Sequence, residues 1–169
     1  MGHYYIHDIK GNLVMANEAE SDLPFYAEGK VVKGFGRGSK HLGFPTANFD
    51  EDVVAKMPST MNNGVYFGWA NVDKGPVYKM VLSIGWNPYY KNEKKSMETH
   101  ILHKFKEDFY GSQLKVIIFG YLRPMADYNS VDELIKAIEG DLSKASTLLE
   151  KPSALAFKDD NFFNADKES

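Results

Sequence analysis

Two short runs place polar side chains at spacings that could do chemistry. In Gly43-Phe44-Pro45-Thr46-Ala47-Asn48, the proline fixes the backbone ahead of a hydroxyl and an amide oxygen two positions apart. On an extended segment that spacing puts Thr46 and Asn48 on one face. Two neutral oxygens hold a free cation poorly, but they suit Mg²⁺ when nucleotide phosphates and water fill the other positions. The same residues also make an ordinary Pro-Thr turn with an Asx cap. In Ser96-Met97-Glu98-Thr99-His100, a glutamate stands at or near the start of an apolar, aromatic strand. The period of two gives Glu98 a face shared with His100 and Leu102, and puts Thr99, Ile101, His103 and Phe105 on the other. An isolated buried carboxylate is costly, so Glu98 is a paired or functional group if buried, and an ordinary surface glutamate if not. His100 and His103 point to opposite faces on a strand and so do not share an ion.

Three further stretches carry charge. Gly34-Phe35-Gly36-Arg37-Gly38-Ser39-Lys40 alternates glycine with other residues, so its backbone could turn amides toward an anion, with Arg37 and Lys40 adding charge. It matches neither the P-loop nor the dinucleotide fingerprint, and a flexible surface loop has the same composition. Tyr89-Tyr90-Lys91-Asn92-Glu93-Lys94-Lys95 mixes aromatics with lysines, as a single-strand nucleic-acid binder on a small barrel would, and as a solvated loop also does. Gly120-Tyr121-Leu122-Arg123-Pro124 ends a strand on an arginine, whose fork fits a planar or anionic partner or a strand-end salt bridge.

The elements that must position these residues are mainly β. Glu28–Gly36, Gly64–Val72, Val77–Trp86, Met97–Phe105 and Leu114–Leu122 are rich in β-branched and aromatic residues. Asp73-Lys74-Gly75-Pro76 has hairpin turn chemistry, and a second turn falls at Tyr110-Gly111. Strands at this spacing without intervening helices predict an antiparallel barrel or sandwich. Ser130 with Glu133 forms a capping box, and Leu134, Ile135, Ile138, Leu142, Ala145 and Leu149 recur at helical spacing up to a stop at Pro152. This helix is expected to cover the barrel. A weaker helical turn is expected at Asp50–Met57, and Phe162-Phe163 should anchor an acidic tail.

At 169 residues, 43% of them hydrophobic, the chain fits one domain and excludes wholesale disorder. It has no cysteine, which removes disulfides and thiolate zinc sites. The formal charge of −3 makes a nucleic-acid coat unexpected. That charge is uneven: residues 1–126 hold 15 Lys and Arg against 13 Asp and Glu, whereas residues 127–169 hold 5 against 10. Met1–Asn17 lacks a secretory pattern, and the apolar run Val116–Leu122 is far short of the ~20 residues that span a bilayer. A soluble, cytoplasmic protein is expected, with no membrane partner.

The runs GKVVKGFGRGSKHLGFPTAN (29–48), NGVYFGWANV, SIGWNPYYKNEKKSMETHILHKFKEDFYG and GYLRP, in this order, resemble the riboflavin kinases of the eukaryotic, monofunctional type. The similarity covers roughly Leu23 to Ala165. The resemblance implies a six-stranded antiparallel Greek-key barrel with a C-terminal α-helix packed on it. Residues 1–23 are then an N-terminal extension, native or added, and residues 24–165 are the kinase domain, with the barrel over about 24–126 and the helix over about 130–150. The implied reaction moves the γ-phosphoryl of ATP to the ribityl 5′-hydroxyl of riboflavin, giving FMN and ADP. Carried over to this chain, Gly34 and Lys40 lie in a loop over the nucleotide phosphates. Thr46 and Asn48 hold Mg²⁺, with another divalent ion such as Zn²⁺ as the alternative. Glu98 is the catalytic carboxylate. Ile101, His103 and Tyr110 match the nucleotide side, and Arg123 and Tyr128 the flavin side, with Tyr128 in a stretch where the family varies. The loops Gly34–His41 and Met125–Asn129 are expected to close over the substrates. A monomer that binds no nucleic acid is expected, and 169 residues leave no room for an added nucleotidyltransferase domain. The competing reading, a small-barrel nucleic-acid module, accounts for the lysine-aromatic run but not for PTAN or Glu98.

Overall fold

A computed structural model describes residues 4–7, 13–16, 22–33, 42–86 and 94–168, with side chains placed for 22–33, 42–86 and 94–164. Strands β1 (Tyr4–His7) and β2 (Leu13–Ala16) form a two-stranded antiparallel sheet of their own. The next six close into a barrel: β3 (Phe25–Val32), β4 (Ala47–Phe49), β5 (Gly64–Val72), β6 (Tyr78–Trp86), β7 (Lys95–Ile101) and β8 (Gln113–Arg123). Around the barrel the order is β3-β4-β7-β6-β5-β8, with every pair antiparallel. The run β8-β5-β6-β7 is a Greek key, the last strand returning to lie beside the first of a three-strand meander.

The alternation in β6 and β7 follows from having one packed face. Met80, Leu82 and Ile84 point inward from β6, and Met97, Thr99 and Ile101 from β7; all are buried. Residues between them, including Ser83, Glu98 and His100, face outward and are half-buried. β5 shows no such alternation because both of its faces are covered. Tyr66 and Ala70 fill the barrel, while Phe67 and Trp69 join Ile117, Ala145, Leu148, Leu149, Ala154 and Phe163 in a second cluster outside it. Gly68 allows β5 and β8 to approach closely: a Cβ there would lie 1.9 Å from the Ile117 carbonyl oxygen.

Short helix α1 (Glu51–Ala55) follows β4, as the weak helical turn in the sequence predicts. Helix α2 (Val131–Leu148) packs on β6 and begins as expected, with Ser130 Oγ accepting from the Glu133 amide at 3.1 Å. The return bond of the box is displaced by one residue: Glu133 Oε2 accepts from the Asn129 amide at 3.1 Å. Pro152 does not simply stop the helix. It starts a further turn, α3 (Pro152–Leu155), because the first position of a helix needs no amide proton. The tail then straps across the barrel: Phe163 is fully buried, and Lys115 Nζ donates to the Phe162 carbonyl at 2.9 Å.

The turn after β5 takes its positive φ angles at Asp73 (48°) and Lys74 (61°). Asp73 tolerates this because its carboxylate accepts from the Gln113 amide at 2.8 Å while its own amide donates to the Gln113 carbonyl at 2.8 Å. β7 ends at Ile101 rather than Phe105: the His103 amide bonds back to the Ile101 carbonyl at 2.8 Å, turning the chain. His103 and Phe105 therefore leave the face they were expected to share with Thr99.

Candidate active site

The outer face of the barrel divides in two. Helix α2, α3 and the tail cover β5, β8 and part of β6. Beside them, β4, the end of β7 and the segment after it border a cleft of about 1520 Å³. Of the candidate residues, Thr46, Asn48, Glu98, Ile101, His103 and Tyr110 all line this cleft.

Pairing register brings two of them together across fifty residues of sequence. Asn48 on β4 is the direct partner of Glu98 on β7, and Glu98 in turn faces Ser83 on β6. Residues directly opposite on one face have Cβ atoms about 4.5–5.5 Å apart. Glu98 is thus the middle of an outer row Asn48–Glu98–Ser83, and lies mid-strand rather than at its start. Burial holds its carboxyl above the usual carboxylate range, since desolvation disfavours the charged form. Ser83 was not singled out from the sequence; the small, outward positions of β6 were the available signal.

His100 pins the PTAN segment. Its Nδ1 lies 2.7 Å from the Pro45 carbonyl oxygen, which can only accept, so Nδ1 carries the proton. The Phe44 ring meets the imidazole edge-on at 5.9 Å. On the far side of the cleft, His103 stacks on Tyr78 with centroids 4.0 Å apart and 13° between the planes. Phe105 and Phe109 extend this aromatic wall, and Tyr110 stands largely exposed at its end. Ile101 turns its side chain into the barrel core and borders the cleft at the end of β7.

Arg123 and Tyr128 form a separate group that does not line this cleft. Arg123 ends β8, and Asp141 of α2 accepts from its Nε at 2.8 Å and from its Nη2 at 2.7 Å. The Arg123 Cζ lies 5.8 Å from the Tyr128 ring centroid. The strand-end salt bridge is therefore present, and the hydrogen bonds to Asp141 push the guanidinium pKa further up. Asp141 was missed in the sequence, although it occupies the apolar stripe between Ile138 and Ala145, where a charge is out of place. Gly34, Arg37 and Lys40, and most of the Tyr89–Lys95 run, lie outside the described residues.

The donor set fits a hard cation. Thr46 and Asn48 offer neutral oxygens beside one carboxylate, and among the described residues no three His, Cys, Asp or Glu side chains gather into a metal cage. Such oxygens need phosphate and water to complete a shell.

The fold and cleft define a small antiparallel barrel with an external site, and comparison with known proteins places it. The riboflavin kinase (flavokinase) family model matches residues 21–149. The chain is 60% identical to mouse riboflavin kinase over 145 residues, covering 86% of this chain and 94% of that protein. It is 59% identical to human riboflavin kinase with the same coverage. The crystal structure of riboflavin kinase from Trypanosoma brucei superposes with a TM-score of 0.68 at 29% identity, covering 85% of this chain and 91% of that one. The chain belongs to the riboflavin kinase family and is a kinase acting on an alcohol.

Proposed function

We propose that this chain is an ATP:riboflavin 5′-phosphotransferase, making FMN and ADP, and that Glu98 is its general base. One observation supports the reading above the others: Asn48 stands in register with Glu98 on the wall of the outer cleft. Phosphoryl transfer asks a protein for alignment and charge neutralisation rather than covalent chemistry. The ribityl 5′-hydroxyl is a poor nucleophile until its proton has somewhere to go. Glu98 accepts that proton as the oxygen attacks the γ-phosphorus and the bond to the β-phosphate oxygen breaks. Its raised pKa makes it a stronger base than an ordinary carboxylate, nearer the working pH.

Thr46 and Asn48 would hold Mg²⁺ beside Glu98, and the bound cation supplies neutralisation of phosphate charge. His100 fixes the Pro45 carbonyl and so the approach of Thr46. His103, backed by the stacked Tyr78 ring and met edge-on by Phe105, offers an aromatic surface suited to the nucleotide base, with Ile101 and Tyr110 beside it. Gly34 and Lys40 would cover the phosphates, and Arg123 with Tyr128 would meet the flavin ring.

Mixing the protein with riboflavin, ATP and Mg²⁺ and separating the products by chromatography tests this. FMN and ADP in equal amounts are expected. Absence of FMN, together with salt-steep binding of oligonucleotides, would instead favour a nucleic-acid module.

A further inference from the structure

We propose that Asp141 is a positioning residue for the acceptor: from helix α2 it fixes the plane of the Arg123 guanidinium beside Tyr128, so that the flavin ring meets a pre-oriented, charge-neutralised plate. The proposal rests on the reading that puts Arg123 on the flavin side.

The geometry leaves the guanidinium little freedom. Its Nε and Nη2 donate to the two carboxylate oxygens at 2.8 and 2.7 Å, and Nη1 donates to the Pro124 carbonyl at 3.2 Å. Three of the five N–H groups are thereby committed in one plane. The Arg123 side chain is still 27% exposed, so part of it remains available to a partner. Asp141 itself is 9% exposed. A bidentate Arg–carboxylate pair is the arrangement that sets orientation as well as energy.

The frame behind the pair is rigid. Ala145 and Leu148, on the same stripe of α2 as Asp141, are buried against the barrel. One turn beyond Asp141, the Ser146 carbonyl and hydroxyl accept from Lys79 Nζ of β6 at 3.0 and 2.9 Å. The loop between Arg123 and α2 is held at both ends, by this ion pair and by the Ser130 cap. An apolar residue at 141 would fill the stripe without desolvating a charge, and buried ion pairs are often no more stable than such replacements. The carboxylate is thus better explained by what it does to Arg123 than by helix packing.

The chemistry suits an uncharged planar acceptor. The riboflavin ring carries no net charge near neutrality, so a bare arginine would lose hydration on binding it and gain no counter-ion. A paired guanidinium has already lost part of that hydration, and offers its exposed portion to the ring and its carbonyl oxygens.

Riboflavin binding is read by quenching of flavin fluorescence on the full chain, with steady-state kinetics and thermal melts alongside. D141N is expected to raise the riboflavin Kd and KM by about tenfold, with the KM for Mg·ATP unchanged. R123A should do the same, and R123A/D141N should bind riboflavin no more weakly than R123A. A D141N protein that melts lower but binds riboflavin like wild type would overturn the proposal and leave Asp141 as a brace. Wild-type riboflavin binding by R123A would overturn the placement of Arg123 at the flavin. If D141N does not fold, the pair R123M/D141L removes both charges together, and wild-type riboflavin affinity in it would equally refute the positioning role.

Discussion

A glutamate on the outside of a small barrel would ordinarily be hydrated and ionise in the usual range. Glu98 is instead half-buried and its pKa is raised, because Asn48 and Ser83 flank it in the strand row and the cleft limits its access to water. Its folded pKa is raised, so the native state binds its proton more tightly than the unfolded chain does. The sign follows from linkage: its contribution to stability is fully present below the unfolded pKa and is lost as pH rises through the folded one. E98Q should therefore melt higher than wild type above neutrality, with the difference closing in acidic buffer; a constant difference would contradict the burial. The acid limb of kcat/KM should also lie above the ordinary carboxylate range and disappear in E98Q, checked by a pH profile of initial rates.

At the scale of elements, the site depends on β4 staying in register with β7, and the His100–Pro45 bond ties the entry to β4 onto β7. Losing one such hydrogen bond is worth about 1 kcal/mol, roughly fivefold in binding. H100A should raise the KM for Mg·ATP by about that factor, and H100N, which keeps a donor near Nδ1, should recover most of it; equal constants in all three would remove the bond from the site. T46A should chiefly weaken the use of Mg·ATP, seen as a shifted magnesium dependence at saturating riboflavin. Much at this scale was legible. The hairpin β5–β6, the cap at Ser130 and the strand identity of Glu98 follow from turn residues, spacing and alternation. The register was not, since nothing local says which residue of β7 faces Asn48. Nor was the Arg123–Asp141 pair: its members are 18 positions apart, on a strand and a helix that only the tertiary fold brings together. The segment after Ile101 misled because its apolar residues continue the strand pattern while serving an aromatic wall.

Across the whole molecule, the covered and open halves of the outer surface do different work. The tail's Phe163 plugs the covered half, the Trp69 indole donates to the Ala154 carbonyl at 2.9 Å, and Lys115 is capped by the Phe162 carbonyl. Truncation of a buried phenylalanine costs about 3–5 kcal/mol. F163A should lose about that much stability in a denaturant titration, while its folded fraction keeps wild-type KM values, since the cleft lies elsewhere. The charge is divided along the same line: residues 127–169, helix and tail, carry a net −5, whereas residues 1–126 carry +2.

The central claim is that Glu98 takes the proton of the attacking hydroxyl, and single-turnover phosphorylation of riboflavin by E98Q tests it most directly. With both ligands bound at wild-type affinity, the rate of FMN formation should fall by about 10²–10⁴-fold. A rate near that of wild type would remove Glu98 from the chemistry.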